Sequence, residues 1–155
     1  MELLARFRRP WLTRVMLIVT SLGSGGVCFP AYIFCLWLGH GSLFRIGATA
    51  LIAEALLLPI IVVLRYSTRR ERPAPFSVRP WTPWNSYGFP SHHAARSWLL
   101  TLIVLPNYPG VQVLVLPLAS LICFSRLYLQ KHYLSDVVAG TVLGICAGFI
   151  ATGAS

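Results

Sequence analysis

Along its length the chain alternates long apolar runs with short polar stretches, and the runs have the lengths of membrane helices. From Val15 to Gly39 no residue is charged, although Gly23, Ser24, Gly25 and Gly26 interrupt the run. A helix over 10–22 would reach about 20 Å at ~1.5 Å per residue. That is short of a hydrocarbon core of about 30 Å, so this segment reads as interfacial or as part of a broken first span. The first clear crossing is then 26–40 and the second 46–64, with Glu54 in the middle of the second. Residues 97–125 again carry no charge. One tilted helix could fill that run, but Pro106-Asn107-Tyr108-Pro109-Gly110 is a turn signal. It predicts two short helices, 91–105 and 110–128, folded as a hairpin that returns the chain to its starting side. The last crossing is 133–153, where Gly140, Gly144 and Gly148 recur every four residues on one helix face and permit close packing.

Two polar stretches frame these runs. Residues 1–14 place Arg6, Arg8, Arg9 and Arg14 among Leu, Phe and Trp11, the pattern of a basic amphipathic helix lying in the membrane interface. Residues 65–90 hold Arg65, Arg69, Arg70, Arg72 and Arg79 among several prolines, which argue against helix. With Trp81 and Trp84 suited to an interfacial belt, this stretch reads as a structured loop or lid. The expected fold is therefore all-α: one domain over 1–155, a polytopic transmembrane bundle of about five membrane helices plus the N-terminal interfacial amphipathic helix.

Composition sharpens this picture. Apolar residues make up 56% of the chain and charged residues 11%, against about 25% charged in a soluble domain. The formal charge is +9, and every basic residue except Lys131 is an arginine, the side chain whose planar fork matches phosphate. A nucleic-acid binder would spread such charge over a solvated surface; here it clusters between apolar runs, so no nucleic-acid partner is expected. Cys28, Cys35, Cys123 and Cys146 lie in apolar stretches without metal-type spacing and read as small buried hydrophobes. No metal and no cofactor are called for, and no cleavable signal peptide is expected.

The polar residues fall into three short motifs: Arg65-x6-Arg72-Pro73, then Pro90-Ser91-His92-His93, then Ser125-Arg126-x5-His132-x3-Asp136. A phosphate monoester handled without a metal needs cationic donors around its oxygens, a nucleophile, and an acid for the leaving oxygen. His132 is the candidate nucleophile. Asp136, one helical turn on, is the group expected to hold the other ring nitrogen and stabilise the positive charge that develops. His93 is the candidate general acid. Arg65, Arg72 and Arg126 are the candidate phosphate clamp. Ser91 can cap the following helix, leaving free amides aimed at an anion, or bind phosphate through its hydroxyl. His92 is either a further phosphate donor or a wall of the pocket. Arg69, Arg70 and Arg79 are expected to face headgroups or solvent. Arg96 is a second-layer or headgroup contact that no motif supports, and Glu54 has no partner that the sequence names.

Taken together and in order, these motifs resemble the signature of the type 2 phosphatidic acid phosphatase superfamily over residues 65–136. The resemblance implies an integral-membrane enzyme that dephosphorylates lipid phosphates without a metal, the matching His and Asp having the roles given to His132 and Asp136. Two positions depart from that family's pattern. His92 stands where the family has glycine, and Arg65 stands where it usually has lysine. The expected reaction is metal-independent dephosphorylation through a phosphohistidine. The candidate substrates are phosphatidic acid, phosphatidylglycerol phosphate, a polyprenyl pyrophosphate or phosphorylated lipid A, with membrane lipids as the surrounding partners. The alternatives are a lipid-to-lipid phosphotransferase on the same fold and a non-catalytic membrane lipid-binding protein. A vanadate-dependent haloperoxidase shares the motif set, but such proteins are soluble and larger. By analogy with bacterial members, the chain is expected in the bacterial inner membrane as a multi-pass protein with its site facing outward.

Overall fold

The structure, a computed structural model, describes residues 9–74 and 83–153. Most of the expected N-terminal amphipathic segment, together with Arg79 and Trp81, lies outside the described residues. Within them the chain forms α1 (Pro10–Leu22), α2 (Gly25–Trp37), α3 (Gly41–Thr68), α4 (His92–Asn107), α5 (Gln112–Tyr128) and α6 (Leu134–Gly153). A short 3-10 turn covers Pro83–Ser86 in the polar loop and another, Pro109–Val111, joins α4 to α5. No strand occurs among the described residues. The architecture is an all-helical membrane bundle.

Among the described residues three stretches are long and apolar enough to cross a membrane: α3, α5 with its preceding 3-10 turn, and α6. Neither α1 nor α2 suffices alone. Bent by 43° at their break, the two together would make one broken span, a fourth. The fifth expected membrane helix is α4, whose 16 residues cover only about 24 Å. Its short length follows from the turn at Pro106–Gly110, which folds α4 and α5 into the predicted hairpin.

The second crossing is longer than expected. α3 continues one turn past Arg65 and stops where Arg69 turns left-handed (φ 46°), its N–H bonding back to the Arg65 carbonyl at 2.9 Å. Arg65 therefore sits on a helix rather than in the loop, and is buried.

The outward faces are as apolar as the interior: Trp37, Leu56, Val113, Phe149 and Ile150 are all strongly exposed. Lipid solvates such faces, so burying apolar area cannot drive helix association there; close steric fit must. α4 and α6 supply it. A Cβ added to Gly140 would lie 2.3 Å from the Ser91 carbonyl oxygen, and one on Gly144 would lie 2.1 Å from the Ala95 carbonyl oxygen. One on Gly148 would meet Leu102 Cβ at 2.7 Å. The glycine stripe thus lets two backbones touch, with Ala94, Ala95 and Leu99 fully buried at the seam. At its end the Ser91 N–H donates to the Asp136 carbonyl at 2.9 Å, so the second and third motifs are joined main chain to main chain. α1 begins at this same end, where the Arg9 N–H and the Thr13 hydroxyl each lie 3.2 Å from the Tyr128 hydroxyl.

Candidate active site

The chain that follows α5 carries His132. Gln130 adopts a left-handed conformation (φ 54°), and the Lys131 N–H returns to the Arg126 carbonyl at 3.0 Å. This tight exit turns His132 inward, where it is 1% exposed. Its Nδ1 lies 2.7 Å from the Gly88 carbonyl oxygen. A carbonyl can only accept, so Nδ1 carries the ring proton and Nε2 keeps its lone pair. The Arg72 guanidinium lies 2.9 Å from that Nε2.

Asp136 is one turn away, but its Oδ2 is 3.7 Å from Nδ1, too long for a hydrogen bond. Oδ2 instead accepts from the Tyr133 N–H at 2.8 Å, and Oδ1 sits 3.0 Å from Arg70. The close partner of the imidazole is therefore the Gly88 carbonyl, with Asp136 acting through its field. Backbone carbonyls leave no trace in a motif, so sequence reasoning missed Gly88. It also placed Arg70 at the headgroups or in solvent. Arg70 in fact pairs with Asp136, donates to the Ser135 hydroxyl at 2.7 Å, and lies 4.5 Å from the centre of the Tyr133 ring.

The three proposed clamp arginines converge here. Arg65 donates to Asn85 Oδ1 at 2.7 Å, and Arg72 Nε donates to the Asn85 carbonyl at 3.0 Å. Arg126 donates to the Thr20 hydroxyl at 2.6 Å. These bonds leave donors over. Arg65 Nε, Arg126 Nε and the Ser91 hydroxyl are buried with no hydrogen-bond partner among the described residues. Ser91 stands at the N-cap of α4 without making a side-chain cap bond. Burial, then the neighbouring charges of Arg65 and Arg126, push the Arg72 guanidinium down to about 9, with Asp136 acting in the opposite sense. Burial likewise pushes the His132 imidazole well below the usual histidine range, and Arg72 and Arg126 add to the shift. The groups near Nδ1, Asp136 and the Gly88 carbonyl, oppose it. Buried cations crowded around a neutral imidazole, with unfilled donors, form an environment that an anion would complete.

His93 lies in the first turn of α4, and its ring makes no hydrogen bond among the described residues. His92 points elsewhere. Its Nε2 lies 2.5 Å from Glu54 Oε1, and Arg96 grips both oxygens of the same carboxylate at 2.7 and 2.6 Å. The partners of Glu54 that sequence could not name are thus Arg96, His92 and the Tyr32 hydroxyl, 3.2 Å away. Seven of the eight expected residues, Arg65, Arg72, Ser91, His93, Arg126, His132 and Asp136, meet at one end of the bundle, while His92 belongs to the adjoining Glu54 cluster. Among the described residues no group of His, Cys, Asp and Glu side chains could hold a metal ion.

The model of the PAP2 superfamily matches residues 42–154. Phosphatidylglycerophosphatase B of Bacillus subtilis is 26% identical over 161 residues, covering 94% of this chain and 76% of that protein. Decaprenylphosphoryl-5-phosphoribose phosphatase of Mycobacterium tuberculosis is 36% identical over 108 residues, or 67% of this chain and 56% of that one. The crystal structure of a transmembrane PAP2 type phosphatidylglycerolphosphate phosphatase from Bacillus subtilis superimposes with a TM-score of 0.79 at 25% identity. That superposition covers 98% of this chain and 80% of the other.

Proposed function

The chain belongs to the PAP2 superfamily and is a membrane phosphatase of lipid phosphates, and on that premise we propose that it works through a phosphohistidine formed on His132. His132 Nε2 attacks phosphorus as the bond to the lipid oxygen breaks. His93, protonated, gives its proton to the departing alkoxide. Water then attacks the phosphohistidine, His93 takes a proton from that water, and inorganic phosphate leaves with His132 regenerated. Arg65, Arg72, Arg126 and the Ser91 hydroxyl hold the nonbridging oxygens and stabilise the charge that spreads over them in the transition state. Asp136 steadies the positive charge that develops on the imidazole.

The observation that carries this reading is the set of unfilled buried donors, Arg65 Nε, Arg126 Nε and the Ser91 hydroxyl, in a pocket whose imidazole keeps its Nε2 lone pair. An apolar cavity of about 110 Å³ supports a lipid substrate. It lies beneath the α1–α2 break between Gly23, Ser97, Leu100, Val104 and Leu118, where hydrocarbon can lie against the bundle. Phosphatidylglycerol phosphate is the first substrate to try, given the name of the relative that aligns with 94% of this chain. We place the site on the outer face of a bacterial inner membrane by analogy with bacterial members. The contact of Arg9 with Tyr128 puts the start of α1 on the same face, so a reporter fused there reads the sidedness of the site.

The decisive experiment is phosphate release by the purified protein in detergent with EDTA, over a panel of lipid phosphates, with His132→Ala alongside. Metal-independent release that disappears in the variant is expected. Release that persists in the variant, or that EDTA abolishes, would rule out the mechanism. Phosphate appearing on a second lipid rather than in solution would identify a transferase.

A further inference from the structure

The reaction proposed above needs His93 held at a fixed angle, yet no hydrogen bond from the described residues fixes its ring. What lies against the ring is the break between α1 and α2. A Cβ on Gly23 would sit 3.5 Å from His93 Cδ2, 3.4 Å from the Ser97 hydroxyl and 2.9 Å from Ile122 Cγ2. Ser97 in turn donates to the His93 carbonyl at 2.6 Å. Gly23 is therefore a wall of the His93 pocket: an added methyl group would touch the ring only at ordinary contact distance but would press on Ile122, so that either Ile122 or the α1–α2 break must shift.

That wall is tied down from one side by Arg96. Its Nε and one terminal nitrogen hold Glu54, while the other terminal nitrogen donates to the Gly23 carbonyl at 3.0 Å. Arg96 and Glu54 are at most 3% exposed. A carboxylate at membrane depth is costly and is kept where it pairs with something specific. Here the pair joins α3 to α4 and ends on the carbonyl of Gly23, the residue of the α1–α2 break that lies against the general acid. We propose that Glu54 and Arg96 are positioning residues for His93, acting through the Gly23 carbonyl. Glu54 orients Arg96, Arg96 fixes the α1–α2 break, and the break fixes the imidazole in line with the leaving oxygen. His92, bonded to Glu54 from the same turn as His93, braces the carboxylate from the other side. The inference rests on the phosphohistidine reading and assigns a function to the one charged cluster that reading leaves unused.

The test exploits leaving-group chemistry. An alkoxide needs a proton as it departs, whereas a nitrophenolate does not. Two amphiphiles matched in tail length, an alkyl phosphate and a nitrophenyl phosphate, are compared in wild type, Arg96→Lys and Gly23→Ala. Lysine keeps the charge opposite Glu54 but cannot grip both carboxylate oxygens and the Gly23 carbonyl at once. A displaced general acid forfeits part of its usual ~10²–10⁴-fold contribution. For each variant we expect kcat on the alkyl phosphate to fall by about tenfold or more with little change in KM, and kcat on the nitrophenyl phosphate to stay within about threefold. Equal losses on both substrates in well-folded protein, or no loss on either, overturn the inference. Helical signal and a single elution peak establish folding. Should Arg96→Lys fail that criterion, Gly23→Ala decides alone, because it alters no charge. A wild type inactive on both substrates overturns the mechanism and this inference with it. Wild-type activity that His132→Ala abolishes, with both variants unchanged, overturns only the inference.

Discussion

Two buried polar clusters lie side by side in this bundle, and they are finished to different degrees. Around Glu54 the charges balance: one carboxylate is met by Arg96, His92 and Tyr32, and the remaining Arg96 nitrogen finds the Gly23 carbonyl. Around His132 the cations outnumber their counter-charges, and three donors have no partner among the described residues. A closed polar network stabilises a fold, whereas an open one costs stability until a ligand fills it. The difference teaches where this molecule keeps its structural charge and where it keeps its chemical charge, the two clusters adjoining at His92 and His93 on α4.

If that division holds, damage to the two clusters should read out differently. The largest effect falls on turnover: His132→Ala is expected to lower phosphate release by about 10³-fold or more, measured in a continuous phosphate assay on detergent-solubilised protein. Next, Arg126→Met should cost about 10²–10³-fold in kcat while leaving the thermal midpoint unchanged or raised, since it removes an uncompensated buried charge. Glu54→Ala should do the reverse to stability. Breaking the closed pair is expected to destabilise the protein by about 3–5 kcal/mol, visible as a lowered midpoint. If Arg126→Met lowers the midpoint as much as Glu54→Ala does, the two clusters are not different in kind.

A smaller effect follows from protonation. The folded state holds the His132 imidazole below its ordinary value, and the unfolded chain titrates near ~6.5. Above that pH neither state is protonated at this site and nothing is gained or lost. As pH falls below it, the unfolded chain takes up a proton that the folded site refuses, so stability declines toward the folded value. The midpoint of the wild type should therefore drop between pH 7 and pH 5 more than that of His132→Ala. The smallest effect is expected from His92→Gly, which restores the family's residue at a position turned away from the phosphate. Its activity should stay within about tenfold of wild type, with stability lowered slightly through the lost Glu54 contact. A large rise in KM in that variant would return His92 to the phosphate clamp.

Much of this was legible in the sequence. The hairpin could be read because prolines and a glycine punctuate an uncharged run, and the close-packing face of α6, though not its partner α4, because glycines recur at helical spacing. His132, Asp136 and the arginines could be read because side-chain chemistry at fixed spacing survives folding. What could not be read was whatever depends on which atoms meet. The Gly88 carbonyl carries no side-chain signature. Arg70 looks like any headgroup arginine until α6 brings Asp136 beside it. Glu54 and Arg96 are separated by 42 residues, and neither belongs to a motif. The end of α3 lies beyond the expected boundary because Arg65, the first charged residue after the apolar run, is buried inside the bundle instead of marking the membrane surface.

The glycine stripe of α6 has a consequence beyond packing. Because Gly140 and Gly144 set main chain against main chain, the separation between the start of α4 and the start of α6 is fixed by atoms that every amino acid shares. Side chains on the lipid-facing surfaces of these helices can then change freely to suit bilayers of different thickness or composition without moving the reacting groups apart. The seam works as a ruler, uncoupling adaptation to the membrane from adjustment of the chemistry.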